Sequence, residues 1–234
     1  MNYIASCYLT TTPDHQRGIM TPNNDVNYIL NWYNSVVRLG LKGIIFHDDL
    51  SSNFIANFPK MKFIKVSSSG NLQLSKYRWL IYFDFLKKNN VKNIFFTDVM
   101  DCVVIKDPFI QKEYNNHSFF CGDEDKPFDK WFIEAASAPI RNLPYFEEVL
   151  KSNQEKKLLN CGIVGGSWAI MITFLNLMFK TIDLIKHRED QVVGDMPIFN
   201  YVAHKYFTDI IHGFPVNSVF NNFETRNDVW FIHK

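Results

Sequence analysis

Asp98 and Asp101, separated only by Val99 and Met100, leave the apolar run Ile94-Phe95-Phe96 together. Two carboxylates held close repel one another unless a cation lies between them, and oxygen ligands of this kind suit Mg²⁺ or Mn²⁺. A diphosphate would supply the remaining ligands. An arbitrary Asp-x-x-Asp more often caps a turn, but here the pair stands at the end of a strand. The run is continuous rather than alternating, which predicts a central parallel strand over 91–97 with both faces covered.

Positioning such a turn takes a sheet, and the first hundred residues predict one. Tyr3 to Thr10 reads as a buried strand, followed by a long polar loop from Thr11 to Asn24 broken by Pro13, Gly18 and Pro22. From Val26 the residues Ile29, Leu30, Tyr33, Val36 and Val37 recur at helical spacing, with Asn24 or Asp25 as cap and Gly40 as stop. Gly43 to Phe46 and Lys62 to Val66 read as strands joined by a short connection. Ser75 to Lys88 reads as a helix opened by a serine cap. Alternation of this kind predicts an α/β fold with a mostly parallel sheet flanked by helices, whose ligands bind beyond the carboxyl ends of the strands. The second half predicts strands over 118–121 and 158–164, helices over 145–151, 168–185 and 197–206, and a short strand over 230–234. No linker separates the halves, so a single domain is expected.

Composition narrows the classes. Lys plus Arg number 25 against 24 Asp plus Glu, so nothing in the overall charge calls for nucleic acid or an anionic membrane. The cysteines Cys7, Cys102, Cys121 and Cys161 are dispersed, without a CxxC pair, which fits a reducing compartment. Residues 1–12 have neither the basic start nor the long apolar core of a secretory signal. The apolar stretch from Trp168 to Phe179 falls short of the roughly 20 residues that span a bilayer. A cytoplasmic chain with a buried helix is the expectation, and oligomeric state is not legible.

The segment Thr97-Asp98-Val99-Met100-Asp101, with Asp107-Pro108-Phe109 after a hydrophobic stretch, resembles the Asp-x-Asp region of metal-dependent glycosyltransferases with the GT-A fold. It is closest to a Thr-Asp-x-Arg-Asp variant of small GT-A proteins such as those of large algal viruses and microbes, with Met100 in place of the arginine. The resemblance implies one GT-A domain over 1–234, with a nucleotide-binding half over 1–101 and an acceptor-binding half over 102–234. It implies Mn²⁺ or Mg²⁺, a nucleoside-diphosphate sugar such as a UDP-sugar as donor, and a glycan or other hydroxyl as acceptor.

The same resemblance assigns roles along the chain. Asp101 and His233 hold the metal, with Asp98 either a third ligand or a contact to ribose and sugar. His212, in His212-Gly213-Phe214-Pro215, is a pocket contact or competing ligand. Arg78 in Ser75-Lys76-Tyr77-Arg78-Trp79 approaches the nucleotide sugar or pairs with a neighbour. Asn160, polar in an apolar strand and followed by Gly162 and the pair Gly165-Gly166, needs a hydrogen-bond partner that a sugar hydroxyl can be. Asp195 in Gly194-Asp195-Met196-Pro197 is the leading catalytic carboxylate, or a helix N-cap. Lys234 neutralises the departing diphosphate. Thr10, Thr12, Arg17 and Asp48 lie where the fold grips the nucleoside. Asp123, Glu124 and Asp125 form a second acidic cluster that either faces the acceptor or, as the preferred reading, is a solvated loop.

Two other classes compete. A Mg²⁺-dependent phosphohydrolase requires an aspartate two residues after its nucleophile, and position 100 is Met. A non-catalytic sugar-binding protein can use the 16% aromatic content for stacking, although core packing accounts for most of it.

Overall fold

The computed structural model describes residues 1–14, 18–68, 70, 72–130, 132–136, 140–185, 194–218 and 224–233. Its first third alternates as expected: β1 (Asn2–Tyr8), α1 (Val26–Arg38), β2 (Gly43–His47), α2 (Ser52–Ala56), β3 (Met61–Lys65), α3 (Leu74–Lys88) and β4 (Asn93–Thr97). The connection between β2 and β3 holds the short helix α2, whose N-cap Ser51 accepts from the Phe54 amide at 3.2 Å. The predicted serine cap of α3 is absent: the helix begins at Leu74 after Gln73, with no side-chain cap bond, and Ser75 lies in its first turn.

After β5 (Cys102–Val104) come β6 (Phe119–Pro127), α4 (Phe146–Asn153), β7 (Lys157–Ser167), α5 (Trp168–Ile185), α6 (Asp195–Tyr206), β8 (Ile210–His212) and β9 (Phe231–His233). Seven strands form one sheet in the order β3-β2-β1-β4-β7-β6-β8, and β5 pairs with β9 in a separate ribbon. Strands β1 to β4 are parallel, but β4 meets β7 antiparallel. The expected central parallel strand is therefore parallel on one side only. From β1 the chain moves outward through β2 and β3, then returns to lay β4 on the other flank of β1. That reversal opens a crevice at the carboxyl ends of β1 and β4, the place where open α/β sheets bind ligands.

Helices cover both faces of the sheet. On one, Trp79 of α3, Phe174 of α5 and Phe199 of α6 pack together, with ring centroids 5.4–5.9 Å apart. On the other, α1 buries Ile29, Trp32 and Val36, the spacing of a single helical face. Trp32 donates its Nε1–H to Thr97 Oγ1 at 2.8 Å, tying α1 to the end of the acidic strand. Helix α5, at 18 residues, is by length and composition apolar enough to cross a membrane. Its Met171, Phe174, Leu175 and Met178 are nonetheless fully buried in the core, so its hydrophobicity is used for packing.

Candidate active site

A pocket of about 690 Å³ occupies the crevice and is lined by Asp98, Asp101, Arg78, Asn160, Asp195 and His233, among others. These residues are spread over 156 positions of sequence. Strand β4 delivers Asp98 to the rim and the following turn delivers Asp101. Strand β9 runs antiparallel to β5, with His233 opposite Cys102, so the histidine comes to lie beside the acidic turn. The His233 amide donates to Ser218 Oγ at 3.1 Å, and only 3% of the residue is exposed. Burial lowers the His233 pKa against the opposing pull of Asp98 and Asp101, which favours the neutral imidazole that a metal requires.

Arg78 organises the acids. Its Nη1 donates to Asp98 Oδ1 at 2.5 Å, which leaves Asp98 Oδ2 turned toward His233 Nε2, 4.0 Å away. Its Nε and Nη2 donate to Asp195 Oδ2 at 3.0 and 2.6 Å, and Trp79 Nε1 donates to the same oxygen at 2.9 Å. Burial alone would lower the Arg78 pKa, but Asp195 and Asp98 hold it well above its ordinary value. Of the two alternatives for Arg78, pairing with neighbouring acids is the one observed, and both partners border the pocket. Asp195 is the first residue of α6 rather than its N-cap, which is Gly194.

Gly162 closes the pocket wall on the β7 side. A Cβ built there would lie 2.7 Å from both Cε1 and Nε2 of His233 and 2.8 Å from Asp98 Oδ2. Only hydrogen fits at this position, so the space between imidazole and carboxylate stays open. The 4.0 Å gap exceeds a hydrogen bond but lies within the reach of two ligands on one ion at about 2.1 Å each. Among the described residues no three or more His, Cys, Asp or Glu side chains are gathered closely enough to hold a metal ion by themselves. Gly165 and Gly166, expected on the same wall, face elsewhere: a Cβ at Gly165 would strike the Phe95 ring at 2.3 Å, and Gly166 approaches Ser118.

Asn160 finds its hydrogen bonds within the protein. Its Oδ1 accepts from the Gly162 amide at 2.6 Å and its Nδ2 donates to Glu124. The acidic cluster is therefore not a solvated loop but part of β6, with Asp123 on His212 and Asp125 on Lys157. Of the two histidines, His233 faces Asp98, whereas His212 Nδ1 bonds Asp123 Oδ2 at 2.9 Å.

The nucleoside-side assignments change most. Asp48 accepts from the amides of Thr10 and Thr11 at 2.9 and 3.0 Å and from their hydroxyls at 3.2 and 2.6 Å. Thr10 and Asp48 are both buried, and neither lines the pocket, so they shape the loop rather than grip a ligand. Thr12 is likewise not among the described residues on the pocket wall. Although burial works against it, these four bonds hold the Asp48 carboxyl below its usual range. Asp48→Ala leaves two amides unsatisfied and is expected to cost about 1–3 kcal/mol, or roughly 5 °C in melting temperature. Because the folded pKa is depressed, this contribution is full above about pH 4–5 and is lost as acid protonates the folded carboxyl. Melting curves of both proteins should therefore converge in acid. Arg17 and Lys234 lie outside the described residues.

Residues not anticipated from sequence also line the pocket, including Asp14, Thr21 and Tyr28 from the long polar loop and α1. Tyr28 stacks on Tyr8 with centroids 4.6 Å apart. The loop's length was the only sequence signal for them. Cys7 and Cys161 line the pocket as well. Burial pushes the Cys7 thiol up to about 12 and raises the Cys161 thiol well above its ordinary value, so neither is a thiolate nucleophile at neutral pH.

The doubly covered, mostly parallel sheet with an acidic turn at the end of its central strand matches the GT-A fold. Among solved structures, the crystal structure of the galactosyltransferase LgtC in complex with donor and acceptor sugar analogs matches 99% of this chain and 86% of its own, with a TM-score of 0.56 and 10% identity. At that identity the likeness is one of fold. No protein-family profile and no curated protein matches the sequence.

Proposed function

We propose that this chain is a glycosyltransferase that moves a sugar from a nucleoside-diphosphate sugar, with uridine as the nucleoside, to a hydroxyl of a glycan acceptor. The reading rests on one observation: Asp98, Asp101 and His233 border a single pocket at the strand-end crevice of a GT-A fold, and Gly162 keeps open the space between His233 and Asp98. Asp98, Asp101 and His233 are the residues to hold Mn²⁺ or Mg²⁺. Held there, a divalent ion would supply positive charge that stabilises a departing diphosphate. Arg78 fixes the Asp98 rotamer through Oδ1 and keeps Oδ2 available. Asp195 and Asn160 border the same space, with Asp195 the carboxylate that faces the donor sugar in this scheme. Tyr28 presents an aromatic ring on the β1 side, where the base would lie. Lys234, next to His233 in sequence, adds a cation for the leaving diphosphate.

Calorimetric titration of UDP with and without Mn²⁺ tests the reading. Wild-type protein should bind UDP only weakly without the metal, and Asp101→Ala should lose about 100-fold of the Mn²⁺-dependent affinity. UDP affinity indifferent to Mn²⁺, or unchanged by Asp101→Ala, would falsify the assignment.

A further inference from the structure

Beyond the donor pocket, the loop after β8 carries Phe214 with 62% of its surface exposed. One side of that ring is backed by the Arg226 guanidinium, 5.2 Å from the ring centroid and itself held by Asp228 at 2.8 Å. The ring is thus supported on one side and open to solvent on the other. Two residues before it, His212 Nδ1 bonds the buried Asp123 carboxylate at 2.9 Å, which orients the ring and turns Nε2 away from the acid. Gly213 joins the two features: it has φ +65°, and a Cβ there would lie 2.6 Å from Asp123 Oδ2. The backbone can pass this close to the carboxylate only as glycine.

Hydrogen bonds tie this loop to two elements that carry pocket residues. Toward β9, Trp230 donates to the Pro215 carbonyl at 2.8 Å and Phe231 to Val216 at 3.0 Å, knitting the loop to the strand that carries His233. Toward β6, Asp123 neighbours Glu124, which accepts from the pocket residue Asn160. Strand β8 is also the sheet edge opposite the nucleoside side.

We infer that Phe214 and His212 seat a pyranose: its C–H face stacks on the open side of the Phe214 ring, and one of its hydroxyls hydrogen-bonds His212 Nε2. An aromatic face is electron-rich and attracts polarised C–H bonds, while the buried acid behind His212 holds the imidazole in one orientation. Naming this sugar the acceptor rests on the transfer reaction proposed above; the saccharide seat itself rests on the loop.

Saturation-transfer NMR on the full chain, with methyl glycosides of galactose, glucose and mannose as probes, tests the seat. Wild type should saturate the protons of one pyranose face of at least one glycoside. Phe214→Ala should weaken that binding about tenfold, Phe214→Trp should retain it, and UDP–Mn²⁺ affinity should stay within about twofold in both. Phe214 is exposed, so its removal leaves the core intact, and a melting curve checks this. His212→Phe, which keeps a ring but no hydrogen-bonding nitrogen, should also lose binding. If no glycoside saturates in wild type, or if Phe214→Ala binds as wild type does, the seat is overturned. Glycoside binding in a protein that ignores UDP and Mn²⁺ would instead overturn the transfer reaction and leave the seat standing.

Discussion

A Gly162→Ala protein is expected to lose Mn²⁺-dependent UDP binding by about 100-fold while remaining folded. The added Cβ would fall 2.7 Å from the His233 ring and 2.8 Å from Asp98 Oδ2, and neither can retreat freely. His233 is buried and its backbone amide is bonded to Ser218, while Asp98 is tethered through its other oxygen to Arg78. Relief has to come from rotating one proposed metal ligand away from the other. The cost to stability is that of local overpacking, about 1–3 kcal/mol. Gly122→Ala is the control: its Cβ would meet Asn160 at an ordinary 3.5 Å, so both binding and melting temperature should stay near wild type. Calorimetry and melting curves on the two variants decide the matter. Equal UDP affinities for Gly162→Ala and wild type would show that the gap between His233 and Asp98 holds no ion.

Removing the arginine that joins the two acids should have the largest effect on stability. Arg78→Met takes three donated hydrogen bonds from two carboxylates, and the Asp195 side chain is only 4% exposed. An uncompensated buried charge of this kind costs about 3–5 kcal/mol, so the melting temperature should fall by roughly 10 °C. Asp98 contributes less to that loss, because a third of its side chain is in water, where charges are screened. The double variant Arg78→Met with Asp195→Leu removes both charges and should recover most of the loss, because replacing a buried pair is far less costly than breaking it. Both variants should nonetheless lose UDP–Mn²⁺ affinity, since Asp98 is no longer held. A single variant that melts within about 2 °C of wild type would refute the ion-pair account.

Much of the architecture is legible locally. The amphipathic repeat of Ile29, Val36 and Val37 predicts α1, and the run Ile94-Phe95-Phe96 marks a buried strand that ends at an acid. Helix 168–185 is found at the expected bounds. Errors concentrate where local preference is weak or misleading. Asp123-Glu124-Asp125 has the composition of a loop, yet it is strand because β7 pairs with it across two register shifts and supplies Asn160, Lys157 and, through β8, His212 as partners. Helix α2 was missed because five residues are too few to show a period.

What the sequence determined by itself was the alternation of strands and helices, the placement of Asp98 and Asp101 at a strand end, and a histidine in the final strand, because periodicity and turn chemistry act between near neighbours. Which groups meet was decided only by the tertiary structure. Arg78 reaches Asp195 across 117 positions, Asp48 is taken up by Thr10 and Thr11 and withdrawn from the pocket, and Gly162 faces His233 because β4–β7 and β5–β9 pair in one register and not another. A register shift of one residue turns a side chain to the opposite face of a sheet, and nothing within a single strand's sequence specifies what waits on the strand beside it.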